Sequence, residues 1–305
     1  MIDLPKNIHI IERGWLSANQ IYIYDHASID VVDSGFCFHG QQTIQLLQSF
    51  LDQHPSLKPR QLFNTHLHSD HCGGNRALQD AFQFTCLVPE SEFTSVRNWP
   101  LAQQSFEYLG QPCPKFTATK SLKIGSTIQI GSFDFEIHGT PGHHAHSILL
   151  FAPSLGLLIS ADALWEKGFG ALFSEVSDRS GFQEQRATLQ LIESLPVKVV
   201  VPGHGNPFVN IQSALDNAYS RLDYLESSPQ RNTHHVAQVL FQFMVMFTEK
   251  LSLEDGLNWC LKTPLFRMSA DQLGLSIEEL FSQTLEYLQN KQSLSFTDGK
   301  IKHRW

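Results

Sequence analysis

Residues 65–71, Thr65-His66-Leu67-His68-Ser69-Asp70-His71, place four metal-competent side chains within six positions. Imidazole nitrogens and carboxylate oxygens together suit zinc, iron or manganese, and the absence of thiolates gives no support to a closed structural zinc site. On extended backbone His66 and His68 point to the same face, so they can grip one ion together. Where the chain turns after that strand, Asp70 and His71 can swing to a second position a few ångströms away. A polar loop whose histidines only satisfy hydrogen bonds is the bland alternative, and the density of ligands argues against it.

Ligands of this kind need a rigid frame to hold them. Residues 21–24 and 29–32 are β-branched and aromatic and read as an N-terminal hairpin, ended by Asp33-Ser34-Gly35. From 41 to 51 the apolar residues Ile44, Leu47 and Leu51 recur at helical spacing, with Pro55 and Pro59 closing the element. The next 150 or so residues repeat short apolar runs that each end in a polar cluster. Residues 62–65 run into His66, 133–138 into His143, 157–160 into Asp162, and 197–201 into Pro202-Gly203-His204. Ligand-bearing loops gathered at strand ends are how a rigid sheet presents a site.

Between these runs, a helix is expected after Gly74. Residues 89–116 read as a loop-rich stretch placed to cover the site, and 122–137 as a hairpin-like run punctuated by Gly125 and Gly131. Beyond Pro207, the stripe Ile211, Leu215, Ala218, Leu222 and Leu225 reads as a helix, and Pro229 marks a break. The tail from about Thr233 is helical in pattern. Ser276 and Glu279 form a capping box for a helix to about Asn290, and Asp298-Gly299 joins 293–296 to 300–305 as a hairpin. The expected division is 1–228 for the main domain and 229–305 for a helical, winged-helix-like appendage.

Composition narrows the class. Across 305 residues, 42% hydrophobic and 17% charged content is ordinary for a globular chain. A formal charge of −8 repels polyanions, so nucleic acid is a disfavoured partner; Lys300, Lys302, His303 and Arg304 form the one dense basic cluster. The five cysteines are scattered, odd in number and without a CxxC pair, which reads as reduced thiols. Cys72, beside His71, reads as a small buried thiol in preference to a ligand. Residues 1–7, with Asp3 and Pro5, lack the pattern of a secretory signal, and no run approaches the roughly 20 apolar residues of a membrane span. A cytoplasmic location with no membrane association is the default expectation.

The HxHxDH motif, a lone His143 after Thr140-Pro141-Gly142, Asp162 after a strand, and His204 within Pro-Gly-His-Gly together resemble the metallo-β-lactamase superfamily in order and spacing over about residues 20–210. The resemblance implies an α/β fold of αββα type, two mixed sheets flanked by helices. It implies that His66, His68 and His143 hold one divalent ion, that Asp70, His71 and His204 hold a second, and that Asp162 bridges both. Zinc is the favoured metal, with iron or manganese as alternatives. On the residues alone, Asp162 could instead cap a helix and His204 could be a turn residue.

Two such cations would drive the pKa of a shared water towards roughly 7, giving a hydroxide nucleophile at neutral pH. Asp70 is placed to orient that hydroxide and take its proton, while His146 or His144 could protonate the leaving group. The run 68–75 looks more like the glyoxalase II and lactonase branches than the β-lactamases. Trp165 stands where quorum-signal lactonases carry a tyrosine, and no cationic glutathione-binding set is assignable in the tail. Trp99, Trp165, Phe169 and Phe173 offer apolar surface for an acyl or aromatic substrate, although each serves equally as core. A small thioester or lactone is the preferred substrate. The alternatives are a winged-helix-bearing nuclease acting on RNA, a mono-iron sulfur dioxygenase-like enzyme, and a scaffold without chemistry. The aromatic helix with Phe241, Phe243 and Phe247 is expected to pack on the main domain, a homodimer face being the other option.

Overall fold

The computed structural model describes residues 4–173, 181–248, 250–297 and 299–304. In β2 (Gln20–Tyr24) and β3 (Ser28–Val32), alternation sends Ile21, Ile23 and Val32 to one face and Tyr22 and Val31 to the other. Asp25 makes their turn by accepting from the backbone of Ala27 and Ser28. An unforeseen strand, β1 (Ile8–Ile11), pairs antiparallel with β2 at the sheet edge. On the far side β4 (Lys58–Phe63), β5 (Thr85–Pro89) and β6 (Lys120–Leu122) add in parallel, giving the order β1-β2-β3-β4-β5-β6.

A second sheet has the order β11-β10-β9-β8-β7, from β7 (Thr127–Ile130), β8 (Phe133–Gly139), β9 (Ile148–Ala152), β10 (Leu157–Ala161) and β11 (Val199–Pro202). Only the β10–β11 pair is parallel. Every residue of β9 and β10 is buried, as strands covered on both faces must be. Ile148 and Leu150 point between the sheets, where they meet Ile23, Phe63 and Leu87 of the first sheet, while Leu149 and Phe151 point outward.

Helices cover both outer faces. The first sheet packs under α1 (Gly40–Gln53), α3 (Asn75–Phe82), α4 (Glu90–Arg97) and α5 (Trp99–Tyr108), through Leu47, Leu78, Val96 and Phe106. A single turn, α2 (Ser69–Cys72), precedes α3. The second sheet packs under α6 (Gly181–Ser194) and α7 (Ile211–Glu226), through Leu189, Ile192, Leu215 and Leu222. Each such fully buried apolar side chain contributes about 1.5–3 kcal/mol. The architecture is the αββα sandwich expected.

Three local expectations need correction. Pro59 does not close α1; it sits second in β4, opposite Ile29, near the start of the strand. Residues 89–116 are not loop-rich, because α4 and α5 occupy most of them. Pro89 and Pro100 stand at or just inside helix starts, where a missing N–H costs nothing, so the prolines there begin helices. The run 122–137 splits: β7 and β8 form the hairpin, while Leu122 ends β6 in the other sheet.

The tail comprises α8 (Gln230–Thr248), β12 (Leu251–Ser252), α9 (Leu253–Lys262), α10 (Pro264–Leu273), α11 (Ile277–Asn290), β13 (Leu294–Thr297) and β14 (Lys300–His303). Its small antiparallel sheet has the order β12-β14-β13. The Ser276–Glu279 capping box is present in both directions. Of the hairpin turn, Gly299 has φ +70°; Asp298, and likewise Trp305 and Asp3, lie outside the described residues. One face of α8 builds the tail's own core with Phe241, Met244 and Val245. Phe243 and Met246 instead pack on Leu16 and Phe36, and Val236 and Leu240 on Leu109, so α8 is seated on the main body. Among the described residues no helix is long and apolar enough to cross a membrane.

Candidate metal centre

The C-terminal ends of β4, β8, β10 and β11 open onto one rim of the sandwich. His66 and His68 follow β4, with His68 still extended (φ −83°, ψ 149°) before α2 carries Asp70 and His71. His143 lies in the loop after β8, Asp162 directly after β10, and His204 just past β11. Ala161 has φ +47° and Asp33 has φ +57°, conformations that cost about 1–3 kcal/mol in non-glycine residues and persist only where surroundings enforce them. Both strained residues border the site. The His204 loop is tied down from a distance: Asn19 donates to the carbonyls of Pro202 and Gly205. A Cβ on Gly203 would lie 2.2 Å from Asp162 Oδ1, so only glycine lets this loop come so close.

All seven expected ligands come together, in two groups. One ring nitrogen each from His66, His68 and His143 lie within 4.8 Å of one another, as do ligand atoms of Asp70, His71, Asp162 and His204. Asp162 stands between the groups. Its Oδ2 is 3.3 Å from His143 Nε2, and its Oδ1 is 3.4 Å from His71 Nε2 and 3.9 Å from His204 Nε2. Asp70 Oδ2 is 3.1 Å from His204 Nε2 and 3.8 Å from His71 Nε2.

The hydrogen bonds behind the rings decide which nitrogens face inward. His143 Nδ1 donates to the Ala171 carbonyl (2.6 Å), His204 Nδ1 to the Gly14 carbonyl (3.1 Å) and His71 Nδ1 to the Asp33 carboxylate (2.7 Å). Thr65 Oγ1 gives its proton to Asp33 and so accepts from His66 Nδ1 (3.1 Å). In each neutral ring the proton sits on the outer nitrogen, leaving the Nε2 lone pair turned inward. His68 Nδ1 then meets His66 Nε2 at 3.1 Å and His143 Nε2 at 2.8 Å. A proton on His68 Nδ1 can satisfy only one of these two lone pairs at a time, and a cation among the three nitrogens would satisfy all of them. His71 Nε2 is buried with no hydrogen-bond partner. The donor set fits divalent metal ions.

Titration behaviour agrees with that fit. Burial, reinforced by neighbouring imidazoles, pushes His66 and His68 well below the ordinary histidine value, so both offer neutral lone pairs. Burial also pulls on His71, but the carboxylates of Asp162, Asp33 and Asp70 outweigh it and raise this ring well above its usual value. His204 is raised in the same way, burial being overcome by Asp162 and Asp70. Burial works against ionisation of Asp162, yet His71 and His204 hold its carboxyl far below the usual range. The second group is therefore an anionic pocket that calls for positive charge, which protons or a metal can supply.

A cavity of about 250 Å³ opens onto these residues, lined on the metal side by Asp70, Asp162 and His204 and on the other by Val239, Phe243 and Met246 of α8. The tail therefore walls the site, a role its sequence did not disclose. Of the aromatic residues singled out, Trp165 and Phe173 line the cavity, whereas Trp99 and Phe169 are core. Trp165 Nε1 donates to Asp162 Oδ1 at 3.2 Å. Cys72 is fully buried, 3.9 Å from Cys113 Sγ, as a thiol and not a ligand. Asp70 faces the cavity. His144 is half-buried, its ring 4.9 Å from that of His68 and its Nε2 3.5 Å from Glu92 Oε1. His146 is exposed, bordering the neighbouring recess with His144 and not the cavity itself. Residues 89–116 do flank the site, since Gln111 lines the cavity and Tyr108 the recess.

Sequence reasoning missed four contributors. Asp33 was seen only as the end of a strand. Trp15, 62% exposed, stacks on the His204 ring at 5.6 Å with no local signal to mark it. Glu92 is buried, and burial raises its carboxyl to about 7. Arg221 was hidden in a helical stripe read only for its apolar face.

Comparison with known proteins places this geometry. The family model described as the metallo-beta-lactamase superfamily matches residues 13–204. A hydroxyacylglutathione hydrolase of Brucella anthropi is 22% identical over 199 residues, 65% of each chain, so this chain spans just under two thirds of that relative's length. The crystal structure of BLEG-1, a B3 metallo-beta-lactamase, superposes with a TM-score of 0.55 at 25% identity, covering 68% of this chain and 96% of that one. A beta-lactamase domain protein from Burkholderia ambifaria reaches a TM-score of 0.60 at 16% identity over 100% of this chain and 94% of its own, so its fold extends through the tail.

Proposed function

We propose that this chain, which belongs to the metallo-beta-lactamase superfamily, is a hydrolase that uses two divalent ions, zinc by preference, to cleave a small ester-like substrate. The observation that carries the reading is the convergence of two donor groups on one cavity with Asp162 between them. His66, His68 and His143 would hold one ion, Asp70, His71 and His204 the other, and Asp162 would bridge. Bound there, such ions supply Lewis acidity for a carbonyl and bring the pKa of a water to roughly 7. The nitrogen and oxygen donors suit zinc, and iron or manganese share that preference.

The chain's own residues do the rest. Asp70 is placed to orient the attacking water and accept its proton. His144 takes a proton on Nε2, because its Nδ1 accepts from the His146 backbone at 3.2 Å, and this proton points to Glu92 in the adjoining recess, so a leaving group would have to reach the recess to draw it from the His144–Glu92 pair. Glu92 steadies that imidazole from the recess side. His146 is the alternative donor from the rim. Trp165, Phe173 and Phe243 exclude water and favour an acyl chain. Similarity to a hydroxyacylglutathione hydrolase supports a thioester, with a lactone as the second choice.

Screening metal-replete protein against thioesters, lactones, β-lactams and phosphodiesters tests this, with elemental analysis alongside. About two zinc per chain and chelator-sensitive hydrolysis of a thioester or lactone are expected. A single iron with no hydrolysis would move the reading to oxidation, and no metal at all would overturn it. The element order of the tail keeps RNA cleavage in view. Against it, α11 carries Glu278, Glu279 and Glu286 and no lysine or arginine. Retention on single-stranded RNA would reverse that judgement.

A further inference from the structure

The cavity contains a positive charge that the hydrolytic proposal does not use. Arg221 lies on α7, on the flank of the stripe that Ala218 and Leu222 bury against the second sheet. Its guanidinium lies over the Phe169 ring at 4.9 Å, donates through Nη1 to the Phe169 carbonyl at 2.8 Å, and through Nη2 to His235 Nε2 of α8 at 2.9 Å. Gly168 leaves it room, since a Cβ there would lie 3.1 Å from Nη1. Two of its five N–H donors are thus taken, and among the described residues no carboxylate pairs with it. Burial and the neighbouring guanidinium push His235 down to about 4, so this ring is neutral and its Nε2 accepts from Arg221. The guanidinium keeps its charge.

A largely buried cation with no counter-charge among the described residues is costly to keep unless something else completes it. Arg221 and His235 both line the cavity shared with Asp70, Asp162 and His204. We infer that Arg221, held by His235 and Phe169, recognises a carboxylate on the substrate, separate from the bond that is cleaved. The planar fork suits either anion, but its single charge balances a carboxylate monoanion, whereas a phosphate dianion would bring excess negative charge into a cavity that Asp70 and Asp162 also line. The substrate class is therefore an ester or thioester of a small acid that carries a second, free carboxylate. This rests on the cavity being the substrate site, as proposed above.

The test reads binding without turnover. Calorimetry on the zinc-loaded full chain compares succinate, glutarate and adipate with butyrate, pentanoate and hexanoate. At least one dicarboxylate is expected to bind about tenfold or more tighter than its monocarboxylate counterpart, the scale of one charged hydrogen-bonded contact. In Arg221→Met and in Arg221→Gln, the latter keeping a donor for the Phe169 carbonyl, that preference should shrink to within about twofold. Metal content and monocarboxylate affinity should hold. No preference in the wild type, or a preference that survives in either folded variant, overturns the inference. A chain that hydrolyses nothing yet shows the Arg221-dependent preference would sink the hydrolase proposal alone; hydrolysis without the preference would sink only this one.

Discussion

Replacing Asp33 by Asn changes no proposed ligand, yet it should cost the proposed second ion most of its hold. The Asp33 carboxylate accepts from Thr65 N at 3.0 Å, Thr65 Oγ1 at 2.8 Å and His71 Nδ1 at 2.7 Å, all buried. An asparagine amide offers one oxygen, so either orientation sets its NH2 against a donor. With the NH2 at the Oδ2 position His71 loses the acceptor that fixes its tautomer and aims its Nε2 at Asp162; with the NH2 at the Oδ1 position it keeps a neutral acceptor while the Thr65 N–H is opposed, and in both the negative charge beside His71 is gone. Outer partners of this kind are worth about 10–100-fold in metal affinity, or about 1.4–2.7 kcal/mol. The proposed first ion would be touched only through Thr65, whose hydroxyl links Asp33 to His66, so its affinity should fall less than about tenfold. Competition against a chromophoric chelator, with elemental analysis at each step, resolves the two ions. If Asp33→Asn binds both with wild-type affinity while folding normally, the argument that a buried carboxylate sets the His71 lone pair is wrong.

Gly203→Ala would put a Cβ 2.2 Å from Asp162 Oδ1 and 2.9 Å from His71 Cε1; displacing the loop by about an ångström should lower kcat on the order of 100-fold, measured on whichever ester the screen identifies. Trp165→Phe keeps the ring but removes the 3.2 Å donation to Asp162, and chelator competition should show metal affinity weakened about tenfold, an unchanged value counting against a role for that indole. Glu92 titrates near 7 in the folded chain against roughly 4.5 unfolded, so its stabilisation is complete below about 4.5 and lost as pH rises through 7. Urea melts from pH 4 to 8 should show wild type losing up to about 3 kcal/mol relative to Glu92→Gln across that window, and parallel curves would mean the carboxyl is not buried as described.

Much of the frame was legible because it follows from local rules. Alternation marked β2 and β3, helical spacing marked α1 and α7, and Ser276 with Glu279 marked the start of α11. Local reading failed where context changed the meaning of a residue. Pro59 reads as closing a helix and Pro89 as opening a loop-rich stretch, yet they occupy a strand start and a helix start. The edge strands β1 and β12 are short and gain their identity from a partner strand, β1 from the next strand β2 and β12 from the distant β14, so nothing within them announced a sheet.

The amino-acid order by itself determined the chemistry on offer: which side chains could bind a metal, and that they end apolar runs suited to strands. Side-chain type and neighbour spacing are properties of the chain before it folds. Only the tertiary structure decided how those groups are aimed. The proton on His204 is placed by the Gly14 carbonyl, 190 residues away, and the His204 loop is held by Asn19, 183 residues from Pro202. Arg221 became a feature of the cavity only when α8 brought His235 against it. Orientation, tautomer and unbalanced charge arise from contacts between distant segments, and no local pattern encodes them.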